Sequence, residues 1–281
     1  MKNRNIPYLF FSYTISKKFK EPDDSKLIFN VLKLIENKAI ACSSADEEDT
    51  YVTGLTEFES YGIEGFYLYI VKKITEREKI RIENGRVIKE IELTDEDKYN
   101  FLFFVPSLSL FAIQDTSSNY KLSGKSSANK LVKLIDSTEY QFNYDIKEPF
   151  YDLDTVFRNL QNLEFISFEV TPTPKTDENF IKLLIENKAR ITGKLIPQDS
   201  IDNKFSEIDK GIIRALKNTE ELGYANLGFK GITEKGSIIS VPKANETGKT
   251  RAIKVYIKDF PETEEHLMEL CKNINILFQK E

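Results

Sequence analysis

Apolar and polar positions along the first half of the chain predict strands that alternate with amphipathic helices. Tyr8 to Ile15 is an aromatic-rich run that ends at a group of lysines, which is typical of a strand. From Lys26 to Lys38 the apolar residues recur at helical spacing and share one face. The Asn-Gly pair within residues 83–86 separates two alternating runs and therefore predicts a β-hairpin. Phe101–Val105 and Leu108–Ile113 predict a further pair of strands.

The second half shows a similar mixture of patterns. Phe165–Val170 predicts a strand, which a Thr-Pro-Thr-Pro turn ends. Three more short runs rich in β-branched and aromatic residues predict strands: Tyr224–Lys230, Ser237–Val241 and Thr250–Ile257. Apolar residues at helical spacing then predict a closing amphipathic helix over residues 262–278.

These elements predict an α+β fold of two modules. A chain of 281 residues is long enough for one or two domains with a substantial core. We place the N-terminal module at residues 1–148 and the C-terminal module at residues 149–281. Each module is expected to hold a mixed or antiparallel sheet with flanking helices.

Composition and cysteine usage predict the compartment. Hydrophobic residues make up 40% of the chain and charged residues 30%, which is typical of a folded protein and not of a disordered one. Cys42 and Cys271 lie far apart, with no other cysteine or histidine at ligand spacing, so we expect buried thiols in a reducing compartment. No apolar signal region follows the first residues, and the apolar run at 101–113 is too short to cross a bilayer. The expectation is a soluble, cytoplasmic protein.

Few residues offer catalytic chemistry. His266 is the only histidine, so Ser-His-Asp and Cys-His catalysis and most zinc sites lack their usual parts. Gly124-Lys125-Ser126 is similar to the end of a phosphate-binding loop, but Asn119 stands where that motif needs its first glycine. We interpret the triplet as part of a serine-rich loop that caps a helix at Lys130. No catalytic residue, metal ligand or cofactor is predicted.

The main interpretation is a protein that binds nucleic acid and has no enzymatic activity. Two alternatives to it remain open. A metal-dependent nuclease needs carboxylates and usually a lysine around a divalent ion, and Glu-x-Lys triplets occur at 36–38 and 186–188. The hexapeptide Leu-Ile-Glu-Asn-Lys-Ala around them occurs at 34–39 and again at 184–189, which either a duplicated strand–helix unit or coincidence explains. The second alternative is a subunit that binds only other proteins.

One segment differs from the rest of the chain in its charge. Residues 229–258 hold seven cations and two acids, a local charge of +5, in a chain whose formal net charge is −5. We call this segment the basic strip. Its cations are Lys230, Lys235, Lys243, Lys249, Arg251, Lys254 and Lys258. A concentration of cations on an acidic protein favours a polyanionic partner, and Gly231, Gly236 and Gly248 would let backbone approach phosphates closely.

Three stretches resemble RexA, the phage-exclusion sensor family of lambdoid prophages. Phe101–Phe104 with Leu110–Ala112 is similar to paired strands of that family, and Leu163–Pro172 to its strand that ends in a proline turn. Glu234-Lys235-Gly236 followed by Ser240 and Pro242 resembles its Glu-Lys-Gly…Ser-x-Pro stretch, with one extra residue here. The motif positions are Glu234, Lys235, Gly236, Ser240 and Pro242.

The resemblance implies a homodimer that binds double-stranded DNA with little sequence preference and triggers abortive infection against phage. It also implies that a separate membrane protein is the effector. Together with the basic strip, it leads us to expect a cytoplasmic DNA-binding sensor of antiviral defence, without direct insertion into a membrane. The cations of the basic strip are the predicted DNA-binding residues, because lysine and arginine neutralise backbone phosphates without reading bases.

Overall fold

The computed structural model describes most of the chain in separate ranges. They are residues 5–20, 24–38, 50–83, 86–116, 122–147, 159–170, 191–195, 225–242, 253–258 and 264–278. The chain forms two compact units: residues 7–145 are the N-terminal unit, and residues 146–281 with residues 1–6 are the C-terminal unit. The predicted division into two domains at residue 148 stays a prediction, because compact packing alone does not establish independent folding.

The described residues of the N-terminal unit form antiparallel sheet with two α-helices. Its strands are neighbours in the order β2-β3-β4-β5-β1, and β6 pairs with β1. The elements are β1 Asn5–Lys17, α1 Leu27–Asn37, β2 Thr50–Ser60, β3 Ile63–Glu83, β4 Arg86–Val105, β5 Leu110–Gln114, α2 Gly124–Asp136 and β6 Tyr140–Ile146. A short 3-10 helix, Pro106–Leu108, connects β4 to β5.

Four phenylalanines form a ladder across this sheet, because the strand registers place them side by side. Phe11 pairs with Phe111, Phe111 with Phe104, and Phe104 with Phe66. Successive ring centroids are 5.2, 5.4 and 5.0 Å apart, and each pair is stacked. Phe29 of α1 meets the last ring, that of Phe66, edge to face at 5.1 Å. Aromatic contacts of this kind stabilise a core beyond the burial of their area.

Helix α2 is joined to the sheet by a buried amide. The Nδ2 atom of Asn100 donates to the carbonyl oxygens of Gln114 and Leu122 and to Oγ of Ser127, at 2.9, 2.9 and 3.0 Å. The Ser123 hydroxyl caps the helix by accepting from the Ser126 backbone N–H at 3.2 Å. The Gly-Lys-Ser triplet is therefore the first turn of α2, and not a loop before a helix that starts near residue 130.

The C-terminal unit repeats the antiparallel arrangement with one described helix. Its strands follow the order β11-β10-β9-β7-β8. The elements are β7 Leu160–Val170, β8 Ile191–Leu195, β9 Ala225–Thr233, β10 Ile238–Val241, β11 Lys254–Lys258 and α3 Glu264–Phe278. Helix α3 packs against β11.

The α+β class predicted from the sequence is confirmed: the described elements form antiparallel sheet with helices packed on it. Strand lengths differ from the prediction. The apolar patterns of residues 66–74 and 79–82 predict two strands. The structure has a single strand there, β3, because β4 pairs with it along its length across one irregularity in register. Of the repeated hexapeptide, the second copy at 184–189 lies outside the described residues, so the duplication stays a hypothesis.

Candidate nucleic-acid interface

The registers of β9, β10 and β11 place two cations of the basic strip on one face of the sheet. Lys230 lies opposite Ser240, and Ser240 lies opposite Lys254 on its other side. All three side chains are partly exposed. Residues directly opposite in neighbouring strands point to the same side of a sheet, so the two lysines flank the serine at a separation of about 10 Å. We call this row the lysine row.

A second row runs beside the lysine row on the same face. Ile232, Ile238 and Tyr256 lie opposite one another in β9, β10 and β11, and all three are partly exposed. Lys258 follows Tyr256 at the strand period of two, so it lies on this face as well. The face therefore combines cations with an aromatic ring, the combination that binds phosphates and the flat faces of bases.

The opposite face of the same strands forms the core of the unit. Gly231, Ile239 and Val255 form a buried row, and Phe229 and Val241 are buried next to it. Gly231 lies there because a Cβ atom at this position would come within 2.6 Å of the Leu160 Cδ1 atom. Gly231 therefore makes room for the Leu160 side chain in the core, whereas the sequence had suggested that it would let a phosphate approach the backbone.

A tight turn between β9 and β10 holds the first three residues of the motif. Thr233 and Ser237 close the hairpin, and Gly236 donates its N–H to the Thr233 carbonyl at 2.9 Å. Gly236 has a φ of +85°, a left-handed conformation that costs glycine least. Glu234 and Lys235 are exposed at the tip of this turn. Ser240 lies within β10, and Pro242 follows the last residue of that strand.

A buried glutamate of α3 holds this turn in place. Oε1 of Glu269, whose side chain is 1% exposed, accepts from the Ser237 hydroxyl at 2.8 Å and from the Thr233 hydroxyl at 3.4 Å. Nδ2 of Asn273, one turn further along α3, donates to the Glu269 backbone carbonyl at 2.8 Å. The sequence analysis missed this role, although an acidic residue on the apolar face of the closing helix was a visible signal. The sole histidine, His266, is fully buried on the same helix.

Lys230 has a carboxylate beside it, which the sequence analysis did not foresee. Its Nζ atom lies 2.6 Å from Oε2 of Glu164, and both side chains are about one third exposed. The register of β7 on β9 shifts between Leu163 and Phe165, so Glu164 is the extra residue at this point. An ion pair reduces the charge that Lys230 can offer to a phosphate. The lysine row is therefore less basic than the composition of the strip suggests.

The remaining predicted DNA-binding residues differ in what the structure says of them. Lys254 and Lys258 are partly exposed on β11. Lys243, Lys249 and Arg251 lie outside the described residues. Their assignment to the interface stays a prediction.

The described residues give little support to the nuclease alternative. In the first Glu-x-Lys triplet, Oε1 of Glu36 accepts a hydrogen bond from the Leu55 backbone N–H at 3.2 Å, and the second triplet lies outside the described residues. Across the part of the chain that the structure describes, no three histidine, cysteine, aspartate or glutamate side chains are grouped closely enough to hold a metal ion. Of the described helices, none is both long and apolar enough to cross a membrane.

Because the two comparisons with known proteins described next found no match, the functional interpretation is based on the fold and on this geometry. No family model matches the chain, and no curated protein is significantly similar to it.

Proposed function

We propose that this chain is a cytoplasmic protein without enzymatic activity that binds double-stranded DNA through its C-terminal unit, with little sequence preference. The observation that supports this proposal most is the lysine row, in which two cations of the basic strip share one partly exposed sheet face. Lys235 adds an exposed cation at the β9–β10 turn. Lysine is a compact point charge, which suits contact with phosphates and not the reading of bases.

The biological setting of the proposal comes from the resemblance to the phage-exclusion sensors. The matching residues Glu234 to Gly236 lie in the β9–β10 turn, Ser240 lies in β10 between the two lysines of the lysine row, and Pro242 follows that strand. We therefore propose a homodimeric sensor of antiviral defence whose binding to DNA triggers a separate membrane effector. Recognition of duplex DNA of any sequence suits such a trigger, because an invading genome need not share a particular site.

The proposed mechanism is the release of counterions from the DNA backbone. Five phosphate contacts from the basic strip would give a log–log dependence of affinity on salt with a slope of about −4 to −5. The ion pair between Lys230 and Glu164 removes up to one contact. We therefore expect a slope of about −3.5.

A salt titration of DNA binding tests the proposal. Fluorescence anisotropy with a labelled 20-base-pair duplex compares the chain with a variant in which Lys235 and Lys254 are both changed to Glu. We expect the variant to bind at least about tenfold more weakly at 0.1 M salt, with a slope shallower by about 2. The matched control changes Lys33 and Lys125, two exposed lysines of the N-terminal unit, to Glu. Equal loss in both double variants, or in neither, would contradict the assigned surface.

A second measurement separates the proposal from the alternatives. Plasmid DNA and RNA are incubated with the full chain and Mg²⁺ or Mn²⁺, and we expect no cleavage. Cleavage that EDTA abolishes would establish the nuclease instead. A chain that neither binds nor cleaves nucleic acid would leave the interaction subunit, which a pull-down from phage-infected cells would then address.

A further inference from the structure

A groove of about 600 Å³ opens in the N-terminal unit, and its described lining contains no residue of the basic strip. It lies between the beginning of α1, the β2–β3 hairpin and the 3-10 helix that follows β4. Six of its lining residues determine its chemistry: Lys26, Phe29, Glu57, Glu59, Glu64 and Phe66. Phe29 and Phe66 form an aromatic floor. Three glutamates form most of the rim, and Lys26 is the one cation of the described lining, so the lining has a net charge of −2 (three acids and one cation).

The floor is the end of the phenylalanine ladder. Phe66 stacks on Phe104 at 5.0 Å and is 2% exposed, so the sheet holds its ring rigidly. Phe29 of α1 meets that ring edge to face at 5.1 Å and is partly exposed. The Nζ atom of Lys33 already lies 5.7 Å from the centroid of the Phe29 ring. The floor is thus preformed, and the Phe29 ring already makes a cation–π contact with the ammonium group of Lys33.

The rim is set by the register of the hairpin. Glu57 lies opposite Phe66 and Glu59 lies opposite Glu64, so all three carboxylates share the face that borders the floor. All three are exposed, and none has an ion-pair partner among the described residues. Residues 50–66 contain these three acids and no lysine or arginine. Like charges opposite one another destabilise a strand pair, so a cationic occupant would relieve a cost that this hairpin bears when the groove is empty.

Strand β2 also offers backbone groups to a partner. It is the last strand of its sheet, and no described strand pairs with its outer edge. The side chain of Glu36 accepts from the N–H of Leu55, next to the irregularity in register between Thr53 and Thr56. Beyond that point lies the acidic stretch of β2. An exposed edge can accept an extended segment of another chain as an added strand.

We propose that this groove binds an extended, lysine- or arginine-bearing segment of a partner protein. The segment lies along the edge of β2, and one of its cationic side chains enters the groove. The stem of that side chain covers Phe29 and Phe66, and its charged head meets the carboxylates of Glu57 and Glu59. Nucleic acid is excluded because the rim repels phosphate, and a second copy of this edge is disfavoured because it would bring the same acids face to face.

Peptide binding to the full chain tests this inference. The probe is a fluorescein-labelled Gly-Ser-Lys-Val-Arg-Val-Lys-Ser-Gly peptide, and its neutral counterpart carries Gln at the three cationic positions. We expect the cationic peptide to bind at least about tenfold more tightly than the neutral one at 0.05 M salt. Changing Glu57 and Glu59 together to Gln should reduce binding of the cationic peptide about tenfold or more. These isosteric changes lie on exposed residues and remove the repulsion between Glu59 and Glu64, so the melting temperature should stay the same or rise.

The matched control removes two exposed acids elsewhere in the same unit, with Asp97→Asn and Glu139→Gln. It should change peptide affinity less than about twofold. Equal loss in the two double variants, equal binding of the neutral peptide, or no binding of the cationic peptide at 1 mM would overturn the inference. Sedimentation equilibrium adds a further outcome: a dimer that the Glu57/Glu59 variant dissociates would assign the groove to a second copy and also overturn it. The DNA-binding assay does not depend on any of these results.

Discussion

The strands of the two compact units use similar residues but differ in how many of their faces are covered. In the N-terminal unit all five residues of β5 and residues 101–105 of β4 are buried, so both faces of this part of the sheet are inside the protein. In residues 229–233 of β9 and in β10 and β11 buried and partly exposed residues alternate, so one face there is partly exposed. The comparison teaches that a sheet can present a binding surface only where one face or one edge stays open.

The two candidate surfaces also differ in charge. Residues 50–66 hold three acids and no cation, whereas residues 229–258 hold seven cations and two acids. The acidic surface is an edge hairpin next to an aromatic core, and the basic surface is a sheet face backed by aliphatic residues. The two proposals assign an anionic partner to the basic surface and a cationic partner to the acidic one, because charges of each sign are concentrated locally.

The largest expected effect comes from the strands of the N-terminal unit that are buried on both faces. Phe104 is fully buried and contacts the rings of Phe66 and Phe111, so Phe104→Ala should lower the free energy of unfolding by about 3–5 kcal/mol. Urea denaturation followed by circular dichroism measures this change. The matched control is Phe19→Ala, because Phe19 is fully exposed and its loss should change stability by less than about 0.5 kcal/mol.

The affinity for DNA should not follow that loss of stability. We expect folded Phe104→Ala protein to bind DNA as the parent does at a temperature where both are native, because the ladder lies in the other unit. A parallel loss of DNA binding would show that the two units do not act separately and would contradict the comparison between them.

A smaller effect is expected at the partly exposed face of β9, β10 and β11. Glu164→Gln removes the charge that pairs with Lys230 at 2.6 Å, so the lysine row should become more basic. DNA affinity should rise severalfold at 0.1 M salt, and the log–log salt slope should become steeper by about 1. Anisotropy titrations at four salt concentrations give both values. Glu139→Gln, which removes an exposed acid of the N-terminal unit that lies 3.9 Å from Lys17, is the control and should change neither value.

An effect that appears only at alkaline pH comes from a buried weak acid in each unit. Burial raises the pKa of the Cys271 thiol in the C-terminal unit from 9.0 to about 12. Burial, and then the nearby charge of Asp24, raise the pKa of the Tyr13 hydroxyl in the N-terminal unit above its ordinary value of 10.0. An acid whose pKa is raised by folding favours the folded state below its unfolded pKa. That contribution is lost as the pH rises through the unfolded and towards the folded pKa.

Melting temperatures between pH 8 and 11 check this prediction. We expect stability to fall from about pH 9, by up to about 1.4 kcal/mol per pH unit for each group once it ionises in the unfolded chain. Cys271→Ala should flatten the fall that begins near pH 9, and Tyr13→Phe the further fall above pH 10. An unchanged pH profile in both variants would show that these two groups are not responsible.

Much of the fold could be predicted from the sequence because local patterns decide it. The alternation of apolar residues in β9 to β11 and the helical spacing in α3 appear in the structure within a few residues of their predicted bounds. The length of β3 could not be predicted in this way. Charged residues between 75 and 79 interrupt its apolar pattern, but β4 satisfies their backbone groups along the ladder and keeps them in one strand.

The candidate site was predictable only in part. Clustering of cations along the chain pointed to residues 229–258, since charge is read directly from composition. The acids that modify or support the site are remote in sequence: Glu164 lies 66 residues before Lys230, and Glu269 lies 32 residues after Ser237. Neither could be assigned to the site without knowing which strand pairs with β9 and which helix covers the β9–β10 turn.

By itself, the sequence determined the α+β class, the local charge of the basic strip and the scarcity of catalytic groups, because periodicity and composition are properties of neighbouring residues. Only the tertiary structure decided which charges meet. The register between β9, β10 and β11 aligned Lys230, Ser240 and Lys254, and the pairing of β2 with β3 placed Glu57, Glu59 and Glu64 beside the end of the phenylalanine ladder. Register is set by the burial of whole strand faces, which depends on residues far apart in the chain.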